Sequence, residues 1–291
     1  MSQSPRAMVV GPMKGGTTWI HDYLQARYDV CLPKGVKETF FFGEHFDKGI
    51  NWYQKHFLHF DPKHHLTIVE VAPSYFHQTE SPMRINNLLG NIPLLFTLRD
   101  PVRRAWSHYL HLLRYGYTKA PLCEAIKQFP EILEASRYRT CLKSWLDVFP
   151  SEYINILWQD LLIESPENYA RAVCNALQLP YHPTSIHLQK KSNQSTVPPS
   201  YLLAALGSKI SRFIRSKRLY GIINFAKLIG LKKVFFGNPG SRRVPALEDE
   251  DANWLAKQLE GEFPEDIMHF LGNPGVLETG QQSFKQCLDD P

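Results

Sequence analysis

The sequence lacks most of what would mark a membrane, secreted or repeat protein. No apolar run reaches the ~20 residues that a bilayer span needs. No charged leader with an apolar stretch stands at the start, so no signal peptide is expected. There are five cysteines: Cys31, Cys123, Cys141, Cys174 and Cys287. The count is odd, the spacing wide, and no C-x-x-C pair occurs. This argues against a disulfide framework or a zinc site and for free thiols in a reducing compartment. No repeat, low-complexity tract or Gly/Ser/Pro-rich linker divides the 291 residues, so one domain over 1–291 is expected. The net charge is only +5. Such a weak basic excess suits an anionic ligand as well as plain solubility, and is too small to argue for nucleic acid. A cytoplasmic protein is the expectation.

Four short apolar runs read as buried strands: "AMVV" (7–10), "LTIVEVA" (66–72), "PLLFTL" (93–98) and "YINILW" (153–158). Helical patterns over about 16–27, 81–90, 101–116, 138–148 and 165–178 lie between or after them. Ser165, Pro166 and Glu167 form an N-cap with proline at the first helical position. Alternating strands and helices predict an α/β fold, a P-loop-type three-layer sandwich with a mostly parallel central sheet flanked by helices. Ligands of such folds bind beyond the carboxyl ends of the strands.

The last hundred residues differ. A polar, turn-rich stretch, "KKSNQSTVPPS" (190–200), precedes a basic and apolar segment, 208–236, then "GNPGSRR" (237–243) and a helix from about Glu248. Residues ~190–245 read as a cover over a nucleotide and acceptor site. The other reading of the basic segment is an amphipathic membrane-surface helix, which Gly221 and Gly230 interrupt.

The stretch "VVGPMKGGTTWIHDYL" (9–24) carries a strand, a glycine loop and a helix start, the arrangement that aims backbone N–H groups at a phosphate. Gly11 and Gly16 have the spacing of the triphosphatase loop G-x-x-x-x-G-K-[ST], but Thr17 stands where that lysine belongs. The loop's lysine is Lys14, three residues earlier. It suits a shorter, terminal anionic group, with Thr17, Thr18 and the loop amides as donors; a degenerate triphosphatase loop or a structural glycine turn is the alternative.

A second motif, "TLRDPVRRAWSHY" (97–109), follows the third apolar run. Arg99 and Ser107 can hold a second phosphate there, the arginine through charge-assisted bonds. Together, "PMKGGTTW" and "LRDPVRRAWSHY" resemble the two phosphate-binding motifs of the sulfotransferases that use 3′-phosphoadenosine 5′-phosphosulfate (PAPS). The resemblance extends to the branch that contains the heparan sulfate sulfotransferases. It is carried by "KETFFFGEHFDKGINWYQKHF" (37–57), "VEVAPSYF" (69–76) and "SRYRTCLKSWLDVFPSEYINILWQDLLIESP" (136–166), and covers about residues 7 to 180.

That resemblance implies site residues. Lys14, Gly15, Gly16, Thr17, Thr18 and Trp19 correspond to the 5′-phosphosulfate loop, and Arg99 and Ser107 to the 3′-phosphate site. Arg242 or Arg243 of "GSRR" resembles the arginine of the loop over that phosphate. Lys14 would stabilise charge building on the bridging oxygen of the leaving nucleotide. Glu38 corresponds to the family's catalytic base, and burial beside Phe40, Phe41 and Phe42 would raise its pKa usefully. His45, His56 and His77 are the runner-up bases. Glu70, Tyr75, His45 and His77 are the candidates on the acceptor side, with Glu70 orienting Lys14 or the acceptor. Two departures stand out. Val71 replaces a lysine of the family's V-E-K, and no cysteine between 175 and 286 supplies the disulfide that closes the Golgi members' nucleotide loop.

The expected donor is PAPS, its product 3′-phosphoadenosine 5′-phosphate (PAP), and no metal is required. The expected partner is a small-molecule acceptor, a metabolite, natural product or sugar, carrying a hydroxyl or an amine. Nucleic acid is not expected, and a homodimer stays open. The competing readings are a Mg²⁺-dependent P-loop kinase and a non-catalytic nucleotide-binding scaffold.

Overall fold

The computed structural model describes residues 3–183, 206–207, 210, 245–263 and 265–267. Arg242, Arg243 and nearly all of the expected cover over 190–245 lie outside the described residues. The chain divides into two compact units. One comprises Met1–Pro101, Arg137–Lys191 and Gly261–Pro291, the other Val102–Ser136 and Ser192–Glu260.

The first unit holds a parallel sheet of five strands among the described residues: β1 (Ala7–Gly11), β2 (Val30–Cys31), β3 (Thr67–Val71), β4 (Leu94–Leu98) and β5 (Ile154–Trp158). Their order is β2-β3-β1-β4-β5, and each neighbouring pair is parallel. The chain builds outward from β1 in one direction through β3 and then returns to β1's other side with β4. The order reverses between β1 and β4, and in folds of this kind ligands bind beyond the carboxyl ends of the strands at that place.

Every residue of β1 and β4 is buried, as expected of parallel strands covered on both faces. Alternation sorts them. Met8 and Val10 join Ile68, Phe96 and Leu98 on one face, under α3 (Ser81–Leu89) and α7 (Tyr138–Leu146). Ala7 and Val9 join Val69, Val71 and Leu95 on the other, under α1 (Thr17–Gln25) and α9 (Pro166–Ala176). The three layers of the α/β expectation are thus present, and the observed bounds of the predicted elements differ from the expected ones by at most two residues. Ser165 caps α9, its Oγ accepting from Asn168 N at 3.2 Å with Pro166 first in the helix.

The two-residue β2 and the short helices α2 (Ile50–Gln54) and α8 (Asp160–Glu164) were not predicted; segments this short carry too little periodicity to read. In the second unit, α4 (Pro101–Arg114) continues from the first, followed by α5 (Leu122–Gln128), α6 (Glu131–Glu134) and α10 (Asp249–Gln258). Arg104 is fully buried there and donates to Ser136 Oγ and the Ile132 carbonyl.

Candidate functional site

The phosphate-type loop, Gly11–Gly16, leaves the carboxyl end of β1 and enters α1. Its glycines are demanded by space. A Cβ on Gly15 would lie 2.0 Å from the Thr97 carbonyl oxygen, and one on Gly11 2.6 Å from that of Pro73. Gly11 and Gly16 also have φ of 117° and 95°, the left-handed region that glycine adopts without strain. Lys14 sits in that region too, at φ 74°, where a side chain costs free energy and signals a functional constraint. Gly16 caps α1 without any side-chain bond to the helix's first N–H groups. The Trp19 amide bonds back to the Gly16 carbonyl, and the amides of Thr17 and Thr18 stand where a helix end offers donors to an anion or to water. Thr17 is buried, and Thr18, next to it, is exposed.

The second part of the site is the segment 37–46, between β2 and α2. Glu38 is its centre. One carboxylate oxygen accepts from Ser74 N at 2.9 Å and from the Ser74 hydroxyl. Burial pushes the carboxyl up to about 7, helped by the like charge of Glu70 and opposed by the two Ser74 bonds and the Lys37 ammonium. The residue keeps part of its surface accessible, so the carboxyl sits in a dense surround with an opening. A carboxyl at that pKa is about half ionised near neutrality, the condition that best serves a general base.

What holds this segment is β3. Glu70 is wholly buried; one oxygen accepts from Thr39 N at 2.9 Å, the other from the Tyr53 hydroxyl at 2.7 Å. Tyr75 adds its hydroxyl, which accepts from Phe42 N at 3.3 Å and bonds Thr39 Oγ1 at 3.2 Å. At the far end Arg84 donates to the carbonyls of Phe42 and Gly43, both at 3.1 Å. Glu70 itself is pushed up by burial, against the lowering effect of its Thr39 and Tyr53 bonds. Lys37 joins the two parts of the site: its Nζ donates to Thr18 Oγ1 at 3.0 Å.

Several expected roles change in this geometry. Trp19 is 1% exposed, stacked on Tyr23 and edge-on to Tyr169, and its backbone N–H donates to the Gly16 carbonyl. It packs the core and has no face for a nucleotide. Tyr75 is wholly buried with its hydroxyl engaged, so it props the 37–46 segment and is no open aromatic wall. Glu70, with both oxygens bonded, anchors the same segment. His56 is buried, its Nδ1 3.0 Å from the Tyr53 carbonyl, which removes it from the bases. His45, half-buried beside Trp52, and His77, half-buried at the end of the 3₁₀ turn Pro73–His77, keep some access.

Arg99 lies between β4 and α4, its carbonyl accepting from the Tyr138 hydroxyl at 2.7 Å. Ser107 lies on the second turn of α4, half-buried. Four residues that hold this geometry were not singled out in the sequence: Lys37, Thr39, Tyr53 and Ser74. Lys37 stood beside the candidate base and could have been found by that adjacency; the other three carry no signal before the chain is folded. Among the described residues no group of three His, Cys, Asp or Glu could hold a metal ion, and no helix is long and apolar enough to cross a membrane.

Known proteins share part of this sequence and its fold. Residues 51–183 match the model of the Sulfotransferase family. The heparan sulfate glucosamine 3-O-sulfotransferase 5 proteins of Mus musculus and Homo sapiens are each 32% identical over 195 residues, 62% of this chain and 55% of theirs. The membrane-associated sulfotransferase kil1 of Dictyostelium discoideum is 30% identical over 141 residues, 48% of this chain and 30% of its own. The chain thus spans about half or less of these relatives' lengths. A sulfotransferase from Alicyclobacillus acidocaldarius shares the fold, with a TM-score of 0.56 at 20% identity, over 73% of this chain and 95% of that one. The phosphate-type loop and Glu38 lie before the matched family segment, while Glu70, Tyr75, Arg99 and Ser107 lie within it. Residues 51–183 thus match the Sulfotransferase family, and the chain shares its fold with a solved sulfotransferase.

Proposed function

We propose that this protein transfers a sulfuryl group from PAPS to a hydroxyl or amine of a small metabolite, natural product or sugar-containing acceptor. The observation that carries the proposal is the contact between the two halves of the site, Lys37 on Thr18, with the raised carboxyl of Glu38 one residue away. A base is thereby mounted beside a phosphate-type loop. Sulfuryl transfer needs that pairing, because the acceptor must lose a proton as the donor loses its nucleotide.

In this reading Lys14, the α1 amides, Thr17 and Thr18 hold the 5′-phosphosulfate, and Arg99 and Ser107 hold the 3′-phosphate. Arg242 and Arg243 are further candidates for that phosphate. Glu38 takes the proton from the acceptor as its oxygen or nitrogen attacks sulfur. The bond from sulfur to the bridging oxygen breaks, its electron pair stays on the phosphate of PAP, and Lys14 stabilises the charge that builds there. No metal is required by this chemistry. His45 and His77 flank the acceptor side. The relatives named for glucosamine 3-O-sulfation make a sugar hydroxyl the first acceptor class to try.

The test is incubation with PAPS and panels of amino sugars, phenols, alcohols and amines, read by mass spectrometry for gain of one SO₃. Lys14→Ala should remove the product while PAP binding, read by calorimetry, persists. Tight PAP binding with no transfer to any acceptor would leave a nucleotide-binding scaffold. Hydrolysis of ATP with Mg²⁺ and indifference to PAPS would leave a kinase-like protein.

A further inference from the structure

We propose that Lys37 is a second catalytic cation, whose ammonium contacts the sulfuryl group as it passes from donor to acceptor. The inference rests on the sulfotransferase reading above and assigns a new residue within it.

Lys37 Nζ lies 3.0 Å from Thr18 Oγ1. Thr18 is the second residue of α1 and exposed, at the helix end from which the first amides point. An anionic oxygen accepting from that hydroxyl at the usual O–H···O distance of ~2.7 Å lies within about 6 Å of Nζ before any side chain moves. The lysine stem is long and flexible enough to close the rest. Its backbone is far less free. The next residue, Glu38, is bonded twice to Ser74, and Thr39 N is bonded to buried Glu70. The ammonium therefore swings from a fixed point between the loop and the base.

The sheet supplies no cation of its own at this place. Val71, at the carboxyl end of β3, is apolar and wholly buried. Lys14 approaches from the loop; Lys37 approaches from the segment that carries Glu38. A charge on that second side suits the reaction. The sulfuryl oxygens move away from the nucleotide as the S–O bond breaks and toward the acceptor as the new one forms. A cation fixed beside the base can follow them, while Lys14 stays with the leaving phosphate. The same charge lowers the pKa of Glu38, keeping more of the base ionised.

A rival role is a strut that merely steadies Thr18. Lys37→Met separates the two. The expected result is a loss of about 100-fold in turnover of PAPS, the scale for removal of one transition-state donor, with PAP affinity changed by less than about threefold. Lys37→Arg should recover most of the loss, and Lys34→Met, an exposed neighbour, should change nothing. Turnover within about threefold of wild type, or PAP affinity falling in step with turnover, overturns the proposal. Should the wild type prove inert, the proposed activity fails, but the contact is still read by calorimetry. The ratio of PAPS to PAP affinity should then fall by about threefold or more in Lys37→Met, as a charge-assisted bond to the sulfuryl group is lost. An unchanged ratio overturns it.

Discussion

The two halves of the site are made by opposite means. The loop Gly11–Gly16 is a backbone device: three glycines, two excluded from bearing a Cβ by carbonyl oxygens of neighbouring segments, and a helix end with no side-chain cap. The segment 37–46 is a side-chain device. It has no regular structure at Glu38 and is held by Glu70, Tyr53, Tyr75, Ser74 and Arg84, which come from four other places in the chain. A backbone device tolerates no added atom and shows itself as a local motif. A side-chain device can be loosened by degrees, and only its outermost residue looks chemical.

Substitutions can sharpen that contrast. The largest effect is expected from Gly15→Ala, because its methyl meets backbone that cannot yield. Overpacking there should cost on the order of 3 kcal/mol of stability, and PAP binding should vanish. Thermal unfolding and calorimetry check it, and a variant that binds PAP normally would deny the loop its role.

Glu38→Gln should follow, with turnover down by about 10²–10⁴ and PAP affinity unchanged, as for removal of a positioned base. The wild-type rate should fall on the acid side of the pKa near 7, and that limb should be missing in the variant. Stability runs the other way. A carboxyl raised in the fold holds its proton more tightly there than in the unfolded chain, so its contribution is lost as pH rises from the ordinary carboxylate range through about 7. Wild type should therefore lose stability relative to Glu38→Gln between pH 5 and pH 8, which melting temperatures at the two pH values measure.

Arg99→Ala and Ser107→Ala should each weaken PAP by about 1–3 kcal/mol and erase the preference for a 3′-phosphate over a 3′-hydroxyl. Retention of that preference in both would move the second phosphate elsewhere. Ser74→Ala should have the smallest effect. It removes one of the two bonds that lower the Glu38 pKa, so the acid limb should move to higher pH with little change in the rate well above it. An unmoved limb would show that Ser74 does not bond the working carboxylate.

The same contrast explains what the sequence could reveal. The sheet was legible because its strands are buried on both faces and so read as unbroken apolar runs, and the loop because glycine spacing is written along the chain. Ser165 and Pro166 announced α9 for the same local reason. Trp19 misled, since its place beside the loop looked like ligand contact, while the spacing Trp19, Tyr23 and Leu24 also belongs to the buried face of α1. Glu70 and Tyr75 misled in the other direction. Polar groups in a strand and after it looked available, and only the folded chain brings Thr39 N and Phe42 N to occupy them. The rank of the histidines could be settled only by burial, which removed His56.

The backbone of Lys14 has a consequence for how this protein would respond to selection. At φ 74° the position favours glycine or asparagine over any longer side chain, by roughly 1–2 kcal/mol. A library at residue 14 sorted for thermal tolerance should therefore enrich those two, and the survivors should be inert toward PAPS. Sorted for turnover, the same library should return lysine. Position 14 is where hardiness and usefulness pull the chain toward different residues, and the fold has settled on the less comfortable one.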